Sequence, residues 1–314
     1  MSPINSASIS ASAPGKTNLF FAVGPLQSDG YHEVASVYLA LDLREEVTVT
    51  ASEEWSVTVT GNIAQSQIEA VPTGAENLVV QAAMKVAEMA GLPADSNHVA
   101  FEVDKHVPVA GGMGGGSADA AAALMAVDAL WQTNLGSRLA DSVRLGADVP
   151  FALAGGVAIG VGRGEELTPI TDVRPLHLVL VTSDEGLSTP AVYRRLDEIR
   201  AARGQNPTSV PVAQVPQQVI EALQSGDLDA LSKTFKNDLQ EAALDLRPDL
   251  AETINAGLAA GALAGFVSGS GPTIAFLSAD AHAAEDLAQK LTAQGRRALA
   301  TSGPAAGAFI RNEN

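Results

Sequence analysis

The stretch Val107-Pro-Val-Ala-Gly-Gly-Met-Gly-Gly-Gly-Ser-Ala-Asp-Ala-Ala-Ala-Ala-Leu124 decides how the chain is read. Five glycines (Gly111, Gly112, Gly114, Gly115, Gly116) fall within six residues, and an alanine-rich run follows. Glycine permits positive φ and close approach of the backbone to a ligand. Ser117 is suited to cap a helix opening at Ala118 or Asp119. Free N–H groups at such a start carry about half an elementary positive charge, a cradle in which phosphate is the expected occupant. A flexible connector has a similar composition but polar flanks. Here the alternating strand Val99–Val103 precedes the loop, and Leu124, Val127 and Trp131 mark one face of a helix after it. A glycine loop running from strand to helix is read as a ligand loop.

A length of 314 residues allows a large core and two domains. The formal charge of −17 argues against nucleic acid and anionic membrane as partners. Without cysteine there are no disulfides, thiolate nucleophiles or Cys-based metal sites. The five histidines show no ligand spacing, so a zinc site is not expected. No run approaches a membrane span, and Met1–Ala13 lacks the basic and apolar regions of an export signal. The expectation is a soluble cytoplasmic protein; its oligomeric state is not readable.

Gly15-Lys16-Thr17 invites a phosphate-loop reading, which fails because Ser10 stands where that motif needs glycine. Lys16 is expected where the chain enters an apolar strand, Leu19–Val23. Asp29-Gly30 marks a turn, followed by Tyr31 and His32, side chains suited to stacking on and hydrogen-bonding a base. Strands are expected at Val34–Leu41, Glu46–Thr50 and Trp55–Thr60, and a helix from Asn77 to the stop at Gly91-Leu-Pro93. Another helix is expected over Arg138–Leu145. Asp148 then falls in a turn before Val149-Pro150, a pair that disfavours helix. The glycine-studded Gly155–Glu165 carries no dinucleotide fingerprint. Beyond it come a strand at Leu176–Val181, a helix containing Tyr193, a surface loop over 203–214, and helices at Val215–Leu223, Asp227–Lys233 and Asp249–Ala260. A second glycine loop, within Gly265–Leu277, links two strands, before a helix at Ala283–Leu291 and a strand at Arg297–Thr301.

Ala13-Pro-Gly-Lys16, Pro108–Ala122 and Ser268-Gly-Ser-Gly-Pro-Thr273 together resemble the three motifs of the GHMP kinases, small-molecule kinases named for galactose, homoserine, mevalonate and phosphomevalonate. Asp29–Glu33, Gly112–Asp119 and Leu145–Phe151, in that order and spacing, resemble the branch acting on a cytidine diphosphate-linked methylerythritol in the non-mevalonate isoprenoid route. The resemblance implies an α+β, two-domain fold with the active-site cleft between the domains. It places an ATP-binding domain over residues 1–164 and a second domain over 165–314. It implies ATP and Mg²⁺, with transfer of the γ-phosphate to the 2-hydroxyl of the erythritol unit. By the same resemblance, Asp148 is the catalytic base and Lys16 its companion. ATP would contact Pro108, Val109, Ala110, Gly111, Gly112, Met113, Gly114, Gly115, Gly116, Ser117 and Ala118, with Asn77 and Lys105 near the adenosine. Asn18, Tyr31, His32, Tyr193, Gly269 and Ser270 would serve the acceptor substrate, with Tyr193 stacking on cytosine. The chain departs from the family pattern at Gly15, Thr17 and Met113, and none of these changes removes a functional group.

Competing expectations are a different GHMP kinase, which would lack the Tyr31-His32 pair, and a non-catalytic nucleotide-binding regulator, which would lose Lys16 or Asp148. A Rossmann dehydrogenase ranks behind both.

Overall fold

Two long strands form the spine of the molecule. β1 (Ser8–Leu26) and β2 (His32–Ser52) pair antiparallel, with register shifts at Pro14/Lys16 and Asn18/Phe20. The computed structural model describes residues 8–93 and 97–311. The start of the stretch weighed as an export signal therefore lies outside the described residues. Three separately expected strands are thus parts of two continuous ones. Lys16 lies within β1, not at its entrance, and the irregular register on either side of it re-aims its side chain.

β3 (Ser56–Gly61), α1 (Gln65–Glu69), α2 (Leu78–Ala90) and β4 (His98–Lys105) follow. Asn77 caps α2 by accepting from the Val79 N–H, as its position suggested, and Gly91 closes the helix at φ 68°. After the glycine loop, α3 (Gly115–Trp131) starts earlier than expected. Gly114, at φ 70°, is its N-cap residue, so Ser117 sits in the first turn and caps nothing. Ala118, Ala120–Ala123 and Ala126 are fully buried, and their small side chains let α3 lie close against β1 and β2.

The short helix expected over Arg138–Leu145 is a 3₁₀ segment, Gly136–Leu145. It leads to α4 (Val149–Ala154), where Pro150 occupies the first turn. Proline is tolerated there because its missing N–H would be unpaired anyway. The Val149-Pro150 pair therefore starts a helix where a break was expected. β5 (Val157–Val161) and β6 (Glu166–Pro169) form a hairpin added to β2. The expected division after residue 164 falls inside this hairpin.

The second half contains β7 (Leu176–Thr182), α5 (Thr189–Ala202), α6 (Gln217–Ser225), α7 (Leu228–Ser232), β8 (Lys236–Asn237) and α8 (Gln240–Leu246). α9 (Asp249–Ala259), β9 (Ala264–Val267), β10 (Ile274–Ser278), α10 (Ala281–Ala293) and β11 (Arg297–Gly303) complete it. Its antiparallel sheet runs β11-β7-β10-β9. The other sheet runs β12-β1-β2-β4-β3, where β12 (Phe309–Ile310) brings the chain back to β1. One apolar cluster joins Leu19, Val37 and Leu39 of the first sheet to Leu178, Leu180 and Leu277 of the second. Among the described residues, no helix is long and apolar enough to cross a membrane.

Candidate active site

A cleft of about 550 Å³ opens where the two glycine turns meet. Pro108 to Ser117 line it from the first half, and Gly269 and Ser270 from the second. The turns approach so closely that a Cβ on Gly112 would strike the Ser268 carbonyl, and Gly112 is also at φ 75°. Ser268 Oγ donates to the Gly112 carbonyl at 3.3 Å and accepts from Thr17 Oγ1 at 3.0 Å, pinning the loop against β1. The N–H groups of Gly115, Gly116 and Ser117 precede the first intrahelical bond, Ala118 N–H to Gly114 C=O, leaving them without helical partners.

Lys16 and Asp148 come together at this cleft from 132 residues apart, with Nζ 3.5 Å from Oδ2. The ammonium also donates to Asn18 Oδ1 at 2.9 Å and to the Gly112 carbonyl at 3.1 Å. Gly114 lies over the pair: a Cβ there would sit 3.5 Å from Asp148 Oδ2 and 3.3 Å from Lys16 Cγ. Tyr38 also lines the cleft. Burial, then the neighbouring Asp148 carboxylate, hold its phenol neutral well above the usual range.

The remaining expected site residues divide by position. Asn77 and Tyr193 line the cleft. Asn18 is fully buried behind Lys16, bonded through Nδ2 to Ser36 Oγ at 2.7 Å, and so orients the lysine from behind. Ala118 is likewise fully buried and does not line the cleft. Ser270 Oγ lies 2.8 Å from Thr189 Oγ1. Tyr31 and His32 line an adjoining recess, and Arg163 borders both recess and cleft. The Arg163 guanidinium sits 4.0 Å from the centre of the Tyr31 ring. His32 stacks on Tyr193 at 5.1 Å, and its Nε2 lies 3.0 Å from Asp197 Oδ1. Tyr193 and Asp197, four residues apart on α5, thus hold one imidazole.

Lys105 reaches the cleft wall, but its ammonium points into the protein. It lies 2.5 Å from Glu45 Oε1 and 2.7 Å from Asp119 Oδ2, while Glu45 Oε2 accepts from the His106 N–H. One buried ammonium beside two buried carboxylates leaves a negative charge uncompensated. Burial, then the Asp119 charge, push the Glu45 carboxyl up to about 8. Burial raises Asp119 too, and its Oδ1 has no hydrogen-bond partner. Sequence reasoning missed Glu45, Phe21, Tyr38, Glu76 and the wall Ala70–Pro72. For Glu45 a signal existed, since it is in phase with the inward-facing Val47 and Val49.

Backbone donors at a helix start, set beside a lysine–aspartate pair in a cleft between two α+β halves, make a site built for phosphoryl transfer. The chain belongs to the GHMP kinases: the family's N-terminal domain matches residues 77–156 and its C-terminal domain residues 219–297. It is accordingly a small-molecule kinase, with ATP as the phosphoryl donor. Within that family it groups with the 4-diphosphocytidyl-2-C-methyl-D-erythritol kinases. It is 49% identical over 304 residues to the one from Arthrobacter sp. (strain FB24), covering 95% of this chain and 93% of that protein. It is 47% identical to the one from Leifsonia xyli subsp. xyli, covering 96% and 98%. A crystal structure of 4-(cytidine 5'-diphospho)-2C-methyl-D-erythritol kinase superposes with a TM-score of 0.73 at 30% identity, over 94% of this chain and 100% of that one. A mevalonate kinase from L. major superposes at 0.72 with 18% identity, over 94% and 96%, a likeness of fold alone.

Proposed function

We propose that the chain transfers the γ-phosphate of ATP to the 2-hydroxyl of 4-diphosphocytidyl-2-C-methyl-D-erythritol in the non-mevalonate isoprenoid route. The observation that carries this reading is the Lys16–Asp148 pair facing the loop that opens α3. A neutral alcohol is a poor nucleophile, and Asp148 accepts its proton as the oxygen attacks. Lys16, 3.5 Å from that carboxylate, draws the acceptor oxygen toward the phosphoryl group. The N–H groups of Gly115–Ser117 face the charge spread over the phosphoryl oxygens in the transition state.

Among the described residues, no three acidic or histidine side chains converge on a metal position. Mg²⁺ commonly binds through one or two carboxylates plus substrate phosphates, and the chain fits that mode. The Ser117 hydroxyl and the partnerless Oδ1 of Asp119 would hold the ion. When bound, it supplies neutralisation of phosphate charge.

Asn77 with the wall Ala70–Pro72 would receive the adenosine, while Lys105 supports the loop from beneath. Tyr31, His32 and Tyr193 would form the cytidine pocket, which favours this acceptor over mevalonate or homoserine. The two units are a nucleotide half and a second half, divided after Pro169 with β12 returned to the first. We place the enzyme in the cytoplasm and assign it neither nucleic-acid nor membrane partners, in keeping with its charge of −17. The test is turnover of the purified protein with ATP, Mg²⁺ and the cytidyl substrate, against mevalonate and homoserine. Turnover of either of the latter in preference to the cytidyl compound overturns the assignment.

A further inference from the structure

Gln67 is the buried residue of α1, a helix with no side-chain cap. Both ends of its amide are engaged, and in different halves of the molecule. Nε2 donates to the Ser183 carbonyl at 2.9 Å, just past the end of β7. Oε1 accepts from the Val109 N–H at 3.2 Å, at the entry to the glycine loop. The next residue, Ala110, is at φ 52°, a conformation a residue with a Cβ adopts only where its surroundings impose it. Ala110 also faces the second half: a Cβ on Gly186 would lie 2.9 Å from its own Cβ. Behind this seam opens a cavity of about 290 Å³ lined by Gln67, His106, Pro108 and Thr182, among others. The loop entry is therefore fixed less by close packing than by one side chain with a donor at one corner and an acceptor at the other.

We infer that Gln67 is a positioning residue for the nucleotide: by bonding Val109 and Ser183 together, it holds the entry of the glycine loop in register with the second half of the chain. The far side of the same loop is fixed by Ser268, so the loop is held from both flanks, and Gln67 supplies the flank outside the reacting centre. The inference rests on the loop binding ATP, as proposed above. It deepens that reading by naming what sets nucleotide affinity at a residue remote from Asp148.

Gln67→Met keeps the side-chain length and removes both bonds. It is expected to weaken binding of a non-hydrolysable ATP analogue about tenfold, with kcat and the acceptor KM within about twofold of the parent. Gln67→Glu keeps the acceptor for Val109 and loses the donor to Ser183, and its loss should fall between parent and Gln67→Met. Analogue affinity within about twofold of the parent in Gln67→Met overturns the inference, as does a uniform fall of all kinetic parameters together with the melting temperature. Should Gln67→Met fail to fold, amide exchange on the unaltered protein decides: the Val109 N–H should exchange more slowly than those of Gly111 and Gly112 without nucleotide, and equal rates overturn the inference. An unaltered protein that binds no analogue at all indicts the kinase reading instead, and the exchange measurement still judges Gln67.

Discussion

Lys16 and Lys105 are both buried lysines facing carboxylates, and both belong to the strand-and-loop framework around the glycine turn. Their electrical situations are opposite. Lys16 meets Asp148 at 3.5 Å, and the side chain of that aspartate remains about a quarter exposed at the cleft. Lys105 is gripped at 2.5 and 2.7 Å by two carboxylates that solvent scarcely reaches. A loose pair with one wet partner can exchange its carboxylate's contact for an incoming hydroxyl. A tight, dry set cannot do so without leaving a charge stranded. The first lysine is positioned for chemistry and the second for architecture, a difference made by the exposure and spacing of the counter-ions.

The largest expected effect tests the reactive pair. Asp148→Asn should lower kcat by about 10²–10⁴-fold while the affinity for an ATP analogue stays near that of the parent. Undiminished turnover would erase the distinction between the two lysines. On the structural side, Lys105→Met should cost about 3–5 kcal/mol of stability in denaturant melts, because two buried carboxylates lose their partner. Lys16→Met should cost about 1 kcal/mol or less in the same measurement, since water already reaches Asp148.

The proton held by the buried set sharpens the contrast. With the Glu45 carboxyl at about 8 in the folded protein and near 4.5 when unfolded, the native state binds the extra proton between those values. Stability from this group is therefore greatest below pH 4.5 and declines as pH rises toward 8, by up to about 1.4 kcal/mol per unit. Glu45→Gln should flatten that slope in midpoints taken at pH 6 and 8. The smallest effect belongs to the acceptor recess: Tyr31→Ala should raise the KM of the cytidyl substrate by about 2–10-fold with kcat nearly unchanged.

Much of the scaffold was legible because the local signals are strong. The glycine run before alanines, the Asn77 cap and the alternation of β4 each depend on neighbours in the chain, and each is found as expected. The limits of α3 were not, because Gly115 and Gly116 are poor helix formers on their own and hide the first turn. α1 and α8 went unread, since runs of five and seven residues are too short to display a helical period. Within the site, the meeting of Lys16 and Asp148 came from resemblance and not from spacing, since nothing local links residues so far apart. Glu45 was hidden by the adjacent Arg44 and Glu46, which make the stretch look like a solvated turn, although strand phase marked it as inward.

β12 carries a consequence for how the molecule comes into being. Its two residues pair with Ala11 and Ser12, and Arg44 clamps the preceding segment through the carbonyls of Ala306 and Gly307. On the ribosome, the Ala11–Ser12 edge of the first-made sheet therefore stays open until Ile310 has emerged, after even β11, the last strand of the second sheet. An edge left open this long is where a nascent chain can recruit the wrong partner. Clipping a finished molecule after Gly303 would loosen its oldest part and spare its newest.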